Sequence, residues 1–268
     1  MDLNGKVVWI TGASSGIGRE LARQLSVRGA KLILTARREA ALEETRAACA
    51  NSDVHKILAI DLSKYHDAAL WAEAAINKFG HVDMLINNAG VSQRGKVYTT
   101  GIEVDEALMT INYFSPVALS KALMPHFMER ESGYYVAISS VAGKLGAPRR
   151  TTYSATKHAI IGFFDSFRNE MFPYGVGVSV ICPGYVKTPI ASNALNEKNE
   201  AANEVDPDIE SGMSVTEAVR RMIRGIEKET PEILVATGMP WLGYHLRRLM
   251  PNTFHRMMPK LAPTSKAK

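Results

Sequence analysis

The chain of 268 residues predicts one Rossmann-like α/β domain, doubly wound, with a mostly or wholly parallel sheet of about seven strands and helices on both faces. Two observations carry this. Short apolar, β-branched runs alternate with longer amphipathic stretches, an order that calls for a parallel sheet with crossover helices. The first such run leads directly into a glycine-rich turn and then a helical segment. Taken in order, the runs at 7–10, 32–35, 57–60 and 84–86 are apolar without alternation, as strands buried on both faces are. Amphipathic segments near 17–29, 38–50 and 65–79 lie between them. A long helical stretch near 103–130 follows, then a strand at 135–138, a helix near 153–172 and a strand at 176–181. No linker or internal repeat interrupts the series, so residues 1–240 read as one domain and 241–268 as a tail.

Composition removes several classes. A chain that is 46% apolar and 22% charged is ordinary for a globular protein, and twelve Pro with twenty Gly are too few for a collagen-like or Pro-rich disordered one. No apolar run approaches the roughly 18 residues of a membrane span. The first, at 7–10, is too short for a signal-peptide core, so a reducing cytoplasm is the expected location. Cys49 and Cys182 belong to no CxxC, and the seven histidines show no HxxxH or HExxH spacing, so no metal site is expected. The net charge of +5 is unevenly placed. From Trp241 to Lys268 the bases Arg247, Arg248, Arg256, Lys260, Lys266 and Lys268 meet no acid, which leaves 26 bases against 27 acids in residues 1–240. The body is nearly neutral and gives no case for nucleic-acid binding.

After the first strand comes Thr11-Gly12-Ala13-Ser14-Ser15-Gly16-Ile17-Gly18, and the helix starts there. Strand, glycine turn and helix in this order bring free backbone N–H groups and the positive end of a helix dipole to one point, which suits a pyrophosphate. The spacing is G-x3-G-x-G rather than the general G-x-G-x-x-G. An NAD site usually carries an acid about 20 residues further on to hold the ribose 2′-hydroxyl, whereas arginine there accommodates a 2′-phosphate. This chain has Ala36-Arg37-Arg38 at the end of the second strand, and guanidinium matches phosphate bidentately. NADP(H) is therefore favoured over NAD(H).

Tyr153 and Lys157 stand four residues apart near the start of a helix and so share a face. A phenol, with a pKa of about 10, is a poor acid or base at neutral pH, and a neighbouring ammonium is expected to lower that value toward the useful range. Ser139-Ser140, Asn87-Asn88-Ala89-Gly90 and Cys182-Pro183-Gly184 each end a strand at its carboxyl edge, where open α/β sheets hold their ligands.

Taken together, TGASSGIG at 11–18, NNAG at 87–90, Asn112 in INYF, Ser140 thirteen residues before Tyr153, YSATK at 153–157 and PGYVKT at 183–188 resemble the short-chain dehydrogenase/reductase family, in its compact single-domain branch, over about residues 5–235. Ser92-Gln93-Arg94 and the Trp-Leu-Gly-Tyr of the tail resemble a branch that includes microsomal reductases of lipophilic carbonyls. The resemblance implies a carbonyl/alcohol oxidoreductase. Tyr153 would exchange a proton with the substrate oxygen, and Lys157 would lower its pKa and hydrogen-bond the nicotinamide ribose. Ser140, rather than Ser139, would hold the substrate oxygen as charge develops there, and Asn112 would hold a water linking Lys157 to solvent. Gly12, Ser14, Ser15, Gly16, Ile17 and Gly18 would bind the pyrophosphate end, with Arg37 and Arg38 at the 2′-phosphate. Asp61 and Leu62 would bracket the adenine, Asn88, Ala89 and Gly90 would line the channel, and Pro183, Gly184, Val186 and Thr188 would cover the nicotinamide. In one departure, NADP-selective members often carry a base just before the second motif glycine, where this chain has Ser15, so selectivity rests on Arg37 and Arg38.

Rival readings fit less well. A sugar-nucleotide epimerase reuses the Tyr/Lys pair but usually has a different glycine spacing and a further substrate domain. A cofactor-binding sensor or scaffold without chemistry tends to lose a catalytic position, and all four are filled here. Residues 189–213 fall where the resemblance puts a substrate lid. Within them Glu197, Glu200, Glu204, Asp206, Asp208 and Glu210 face the single base Lys198, so the segment reads as a mobile surface excursion, either a lid ordering on ligand or an insertion without function. Leu108, Phe114, Phe163, Phe164 and Phe167 are apolar positions of which about half are expected to pack in the core; they lie on the two helices through which members of the resembled family commonly pair, which implies a homodimer or homotetramer. The tail combines its bases with Trp241, Leu242, Leu246, Leu249, Met250, Phe254, Met257 and Leu261, broken by Pro251. Such a segment either packs on the substrate cleft or a partner subunit, the preferred reading, or lies on an anionic membrane surface. The sequence leaves the substrate itself open.

Overall fold

The computed structural model describes residues 1–261 apart from 191, 193, 198 and 202–205. Lys198, Glu204, Lys266 and Lys268, counted above, lie outside the described residues. Seven parallel strands form one sheet in the order β3-β2-β1-β4-β5-β6-β7. They are β1 (Val7–Thr11), β2 (Lys31–Thr35), β3 (Lys56–Ile57), β4 (Met84–Asn87), β5 (Gly133–Ile138), β6 (Val176–Pro183) and β7 (Glu232–Val235). The order reverses between β1 and β4, the crevice where doubly wound sheets bind ligands. β1 and β4 are buried along their whole length, which requires cover on both faces.

The helices supply that cover. They are α1 (Gly16–Val27), α2 (Glu39–Ala47), α3 (Ala68–Phe79), α4 (Ile102–Met109), α5 (Ser115–Glu129), α6 (Thr151–Met171), α7 (Pro207–Glu210), α8 (Val215–Glu227), α9 (Gly238–Leu249) and α10 (Pro251–Leu261). One core joins β1, β2 and β4 to α1 and α8 through Ile10, Leu21, Leu34, Ile86 and Met222. The other joins the opposite face to α3, α5 and α6 through Trp9, Leu85, Leu123, Tyr135 and Phe164.

Three expectations need correction. The third strand, expected over 57–60, pairs as a ladder only at Lys56–Ile57, because β3 is an edge. Beyond it Leu58 and Ile60 still donate to the Leu34 and Ala36 carbonyls at 3.0 Å each. The stretch 103–130 is two α-helices joined by a π-helical turn at Thr110–Phe114, where the Ser115 N–H and hydroxyl both reach the Thr110 carbonyl. Pro116 explains the irregularity, since it offers no N–H to the carbonyl four residues back, that of Asn112. Of the five apolar positions on α4 to α6, about half of them expected in the core, Leu108, Phe164 and Phe167 are buried there and Phe114 is exposed, at 41%. The segment 189–213 is not a free excursion in its described part. Leu195 exchanges backbone hydrogen bonds with Ser92 and Arg94, and Asp206, 4% exposed, takes both Arg94 and Arg150. The seventh strand, β7, carries the apolar run Ile233-Leu234-Val235 and completes the expected sheet of about seven.

Candidate active site

The carboxyl edges of β1, β2, β4, β5 and β6 open into one cavity of about 950 Å³. At one end lies the glycine turn. Gly12 and Gly16 have φ of +66° and +52°, a left-handed backbone that favours glycine. A Cβ on Gly12 would stand 2.8 Å from Ala89 Cα, and one on Gly18 would collide with the Gly12 carbonyl oxygen. The turn is knitted to the loop after β4. The Asn88 amide nitrogen donates to the Thr11 and Gly12 carbonyls at 2.9 and 3.2 Å. The N–H groups of Asn88 and Ala89 both donate to the Thr11 hydroxyl, at 3.0 and 3.1 Å.

Gly12, Ser14, Ser15, Gly16 and Ile17 line this end with Asn88, Ala89 and Gly90. Arg37, Arg38, Asp61 and Leu62 line its outer margin, and the two arginines are exposed. Asp61 accepts from the Ser63 N–H and hydroxyl. Burial works to raise its carboxyl, but these bonds and the nearby Arg37 lower it overall. Pro183, Gly184, Val186 and Thr188 line the cavity beyond β6. Gly18 does not line it; its part is to let α1 approach the turn.

The other end is built on β5 and α6. Ser140 accepts from the Ala142 N–H at 3.1 Å and donates its hydroxyl to the Pro183 carbonyl at 3.4 Å, on the same side of the cavity as the Tyr153 phenol. Ser139 spends its hydroxyl on the Lys157 carbonyl at 2.9 Å, on the other side of the strand. Lys157, 5% exposed, donates its ammonium to the Ile138 carbonyl at 2.9 Å and stands 5.8 Å from the Tyr153 ring centre. Burial pushes the Lys157 ammonium down to about 8 and pushes the Tyr153 phenol up, while Ser140 and Arg150 work to lower the phenol. The lowering of Tyr153 by Lys157 expected from the sequence is therefore absent among the protein groups alone. Desolvation of two neighbouring buried groups dominates.

Asn112 is also placed differently from expectation. It is 1% exposed and does not line the cavity. Its side chain accepts from the Val91 N–H at 2.8 Å and donates to the Val91 carbonyl and the Thr156 hydroxyl at 2.9 and 3.1 Å. The amide therefore binds the loop after β4 to α6. Gly90 fits beneath, where a Cβ would meet Asn112 Oδ1 at 3.1 Å and Lys157 Nζ at 3.5 Å.

One further contribution follows the preferred reading of the tail and one escapes the sequence. The tail roofs the cavity, so it packs on the cleft. Met239, Pro240, Leu242, Gly243 and Leu246 of α9 line it with Phe254, Met257 and Met258 of α10. Tyr244 anchors this roof by donating to Glu232, which also holds Lys144 at 2.7 Å. Gln93 is the other. It is fully buried, and its carbonyl accepts from the Thr152 and Tyr153 N–H groups. A signal for it existed, since the residue before α6 is Arg150, which provides no side-chain cap.

A parallel sheet with a glycine turn at its reversal point and a Ser-Tyr-Lys group at the same edge defines a nicotinamide-dinucleotide oxidoreductase fold. The short chain dehydrogenase family model matches residues 6–199. Dehydrogenase/reductase SDR family member 7B of Mus musculus is 40% identical over 96% of this chain and 81% of its own length. The SDR family protein 7-like of Drosophila melanogaster is 38% identical over 97% and 81%. Among solved structures, a short-chain dehydrogenase/reductase from Burkholderia phymatum in complex with NAD superposes with a TM-score of 0.80 at 26% identity, covering 100% of this chain and 99% of that one. One from Sphingobium yanoikuyae in complex with NADPH gives 0.78 at 27% identity, covering 98% of each chain. The chain belongs to the short-chain dehydrogenase/reductase family.

Proposed function

We propose that the protein is an NADP(H)-dependent oxidoreductase that interconverts a lipophilic carbonyl compound and its alcohol. The observation that carries this is the convergence of Ser140, Tyr153 and Lys157 on one end of a cavity whose other end is the glycine turn. The bound nicotinamide supplies or accepts the hydride. Tyr153 donates its proton to the carbonyl oxygen in reduction and takes it back in oxidation. Ser140 holds that oxygen while it is negative. Lys157, with its ammonium destabilised by burial, holds the nicotinamide ribose and feeds the phenol.

Arg37 and Arg38 favour a 2′-phosphate, since no carboxylate stands at the end of β2 to take a ribose hydroxyl. The tail roof makes the substrate end apolar and so favours a lipophilic carbonyl. The outer side of that roof is apolar and basic, with Trp241, Leu249 and Met250 about half or more exposed beside Arg247, Arg248 and Arg256. We assign it to peripheral contact with an anionic membrane from the cytoplasmic side. Failure of the full chain to sediment with anionic vesicles would remove that assignment.

The decisive experiment follows NADPH consumption over a carbonyl panel. Tyr153→Phe should lower kcat about 10²- to 10⁴-fold, the usual contribution of general acid–base catalysis, with NADPH affinity kept. Retention of most turnover would show the mechanism to be wrong. In the same assay the wild type should prefer NADPH to NADH, and Arg37→Ala should erode that preference.

A further inference from the structure

We infer that Gln93 is a positioning residue for Tyr153: it caps, from a separate loop, the helix that carries the proton-exchanging phenol, and ties that helix start to the lid. This rests on the role given to Tyr153 above.

The first turn of any helix leaves N–H groups without helical partners. In α6 the Ser154 N–H reaches the Arg150 carbonyl at 2.8 Å, but those of Thr152 and Tyr153 precede the first helical bond, and Arg150 provides no side-chain cap. The two N–H groups converge instead on Gln93 Oε1, at 3.0 and 3.3 Å. Two donors aimed at one atom fix which end of the amide is oxygen. Gln93 is fully buried, and its Nε2 has no hydrogen-bond partner among the described residues, so the carbonyl half alone does the capping.

The backbone of the same segment carries the lid. Gln93 pairs with Leu195 in a parallel bridge, the Arg94 N–H donates to the Leu195 carbonyl at 2.8 Å, and Leu195 lines the cavity. On the far side Arg94 and Arg150, the latter just before α6, both close on the buried carboxylate of Asp206. The lid, the Gln93 loop and the first turn of α6 therefore form one hydrogen-bonded unit. Tyr153 sits inside it, joined to Leu195 and Asp206 through Gln93 and its neighbours.

The test compares full-length Gln93→Met, of similar length but without the acceptor, with Gln93→Glu, which keeps an acceptor at the same reach. The substrate is whichever carbonyl of the panel the wild type reduces. Gln93→Met should lower kcat at least tenfold while substrate KM and NADPH affinity stay within about twofold, and Gln93→Glu should return kcat to within about threefold of wild type. A Met variant as fast as wild type, or a Glu variant as slow as Met, overturns the inference. If the Met variant no longer binds NADPH, Gln93→Asn, whose amide is one methylene too short, is judged by the same criterion. A dead Tyr153→Phe beside an unimpaired Gln93→Met would sink only this inference. An active Tyr153→Phe would instead sink the reading on which it rests.

Discussion

The two ends of the cavity are held by different means. At the glycine turn backbone meets backbone: Gly12 lies against Ala89, Gly18 lies against the Gly12 carbonyl, and Asn88 and Thr11 join the two loops. At the substrate end side chains meet side chains, as α9 and α10 lay Leu242, Leu246, Phe254 and Met257 over the opening. Backbone contact leaves no room for an added atom, whereas an apolar roof tolerates any shape of similar volume. One end is thus committed to a single ligand shape, and the other can change its choice of substrate without disturbing the first.

Gly18→Ala is the hardest blow this difference allows. The new Cβ would strike the Gly12 carbonyl and stand 2.5 Å from Asn88 Nδ2, so the turn must move. Overpacking of this kind costs about 1–3 kcal/mol, which corresponds to a loss of NADPH affinity of roughly fivefold to 150-fold. A titration of NADPH fluorescence measures it, and unchanged affinity would mean that the turn does not carry the pyrophosphate.

The same contrast governs what the sequence reveals. Gly12, Gly16 and Gly18 are legible because a left-handed φ or a missing Cβ admits few other residues, and Tyr153 with Lys157 because a helix fixes their spacing. Arg37 and Arg38 are legible by their place at the end of β2. The roof is not legible in this way. Met239, Leu242 and Met257 are ordinary apolar residues, and only the folded tail shows that they face the cleft rather than a partner or a membrane alone. Nor is the role of the Asn112 side chain, since its use depends on the π-helical turn that Pro116 imposes and on the position of Val91 across from it. The direction of the Tyr153 shift is not legible for a related reason: spacing gives proximity to a cation, but not the burial that raises the phenol.

That burial can be read through stability. The Lys157 ammonium has its pKa lowered to about 8 in the folded chain, against an unfolded value near 10.5. Below pH 8 both states are protonated and folding bears the full cost of the buried charge. Between about 8 and 10.5 the unfolded state binds more protons, so this residue's contribution to stability rises with pH. The whole gain is about 3 kcal/mol. Melting temperatures of wild type and Lys157→Met, measured from pH 7 to 9.5, should therefore converge or cross as the wild type gains on the variant. Parallel curves would mean that Lys157 titrates at its ordinary value.

The mildest effect belongs to the roof. Tyr244 is the buried residue of α9, and its hydroxyl donates to Glu232, which keeps Lys144 as a second partner. Tyr244→Phe preserves the ring and its packing, and leaves Glu232 paired. The hydroxyl also accepts from Arg248 at 3.3 Å, but that guanidinium is exposed and water can replace the bond, so the loss should be mainly that of the Glu232 bond, about 1 kcal/mol or roughly fivefold. It should appear as a raised KM for a bulky lipophilic carbonyl, because α9 loosens over the cleft. NADPH affinity and kcat for a small carbonyl should not move, since neither the glycine turn nor α6 touches this bond. A change in NADPH affinity would show that the roof and the turn act as one body, and the distinction between the two ends of the cavity would fall with it.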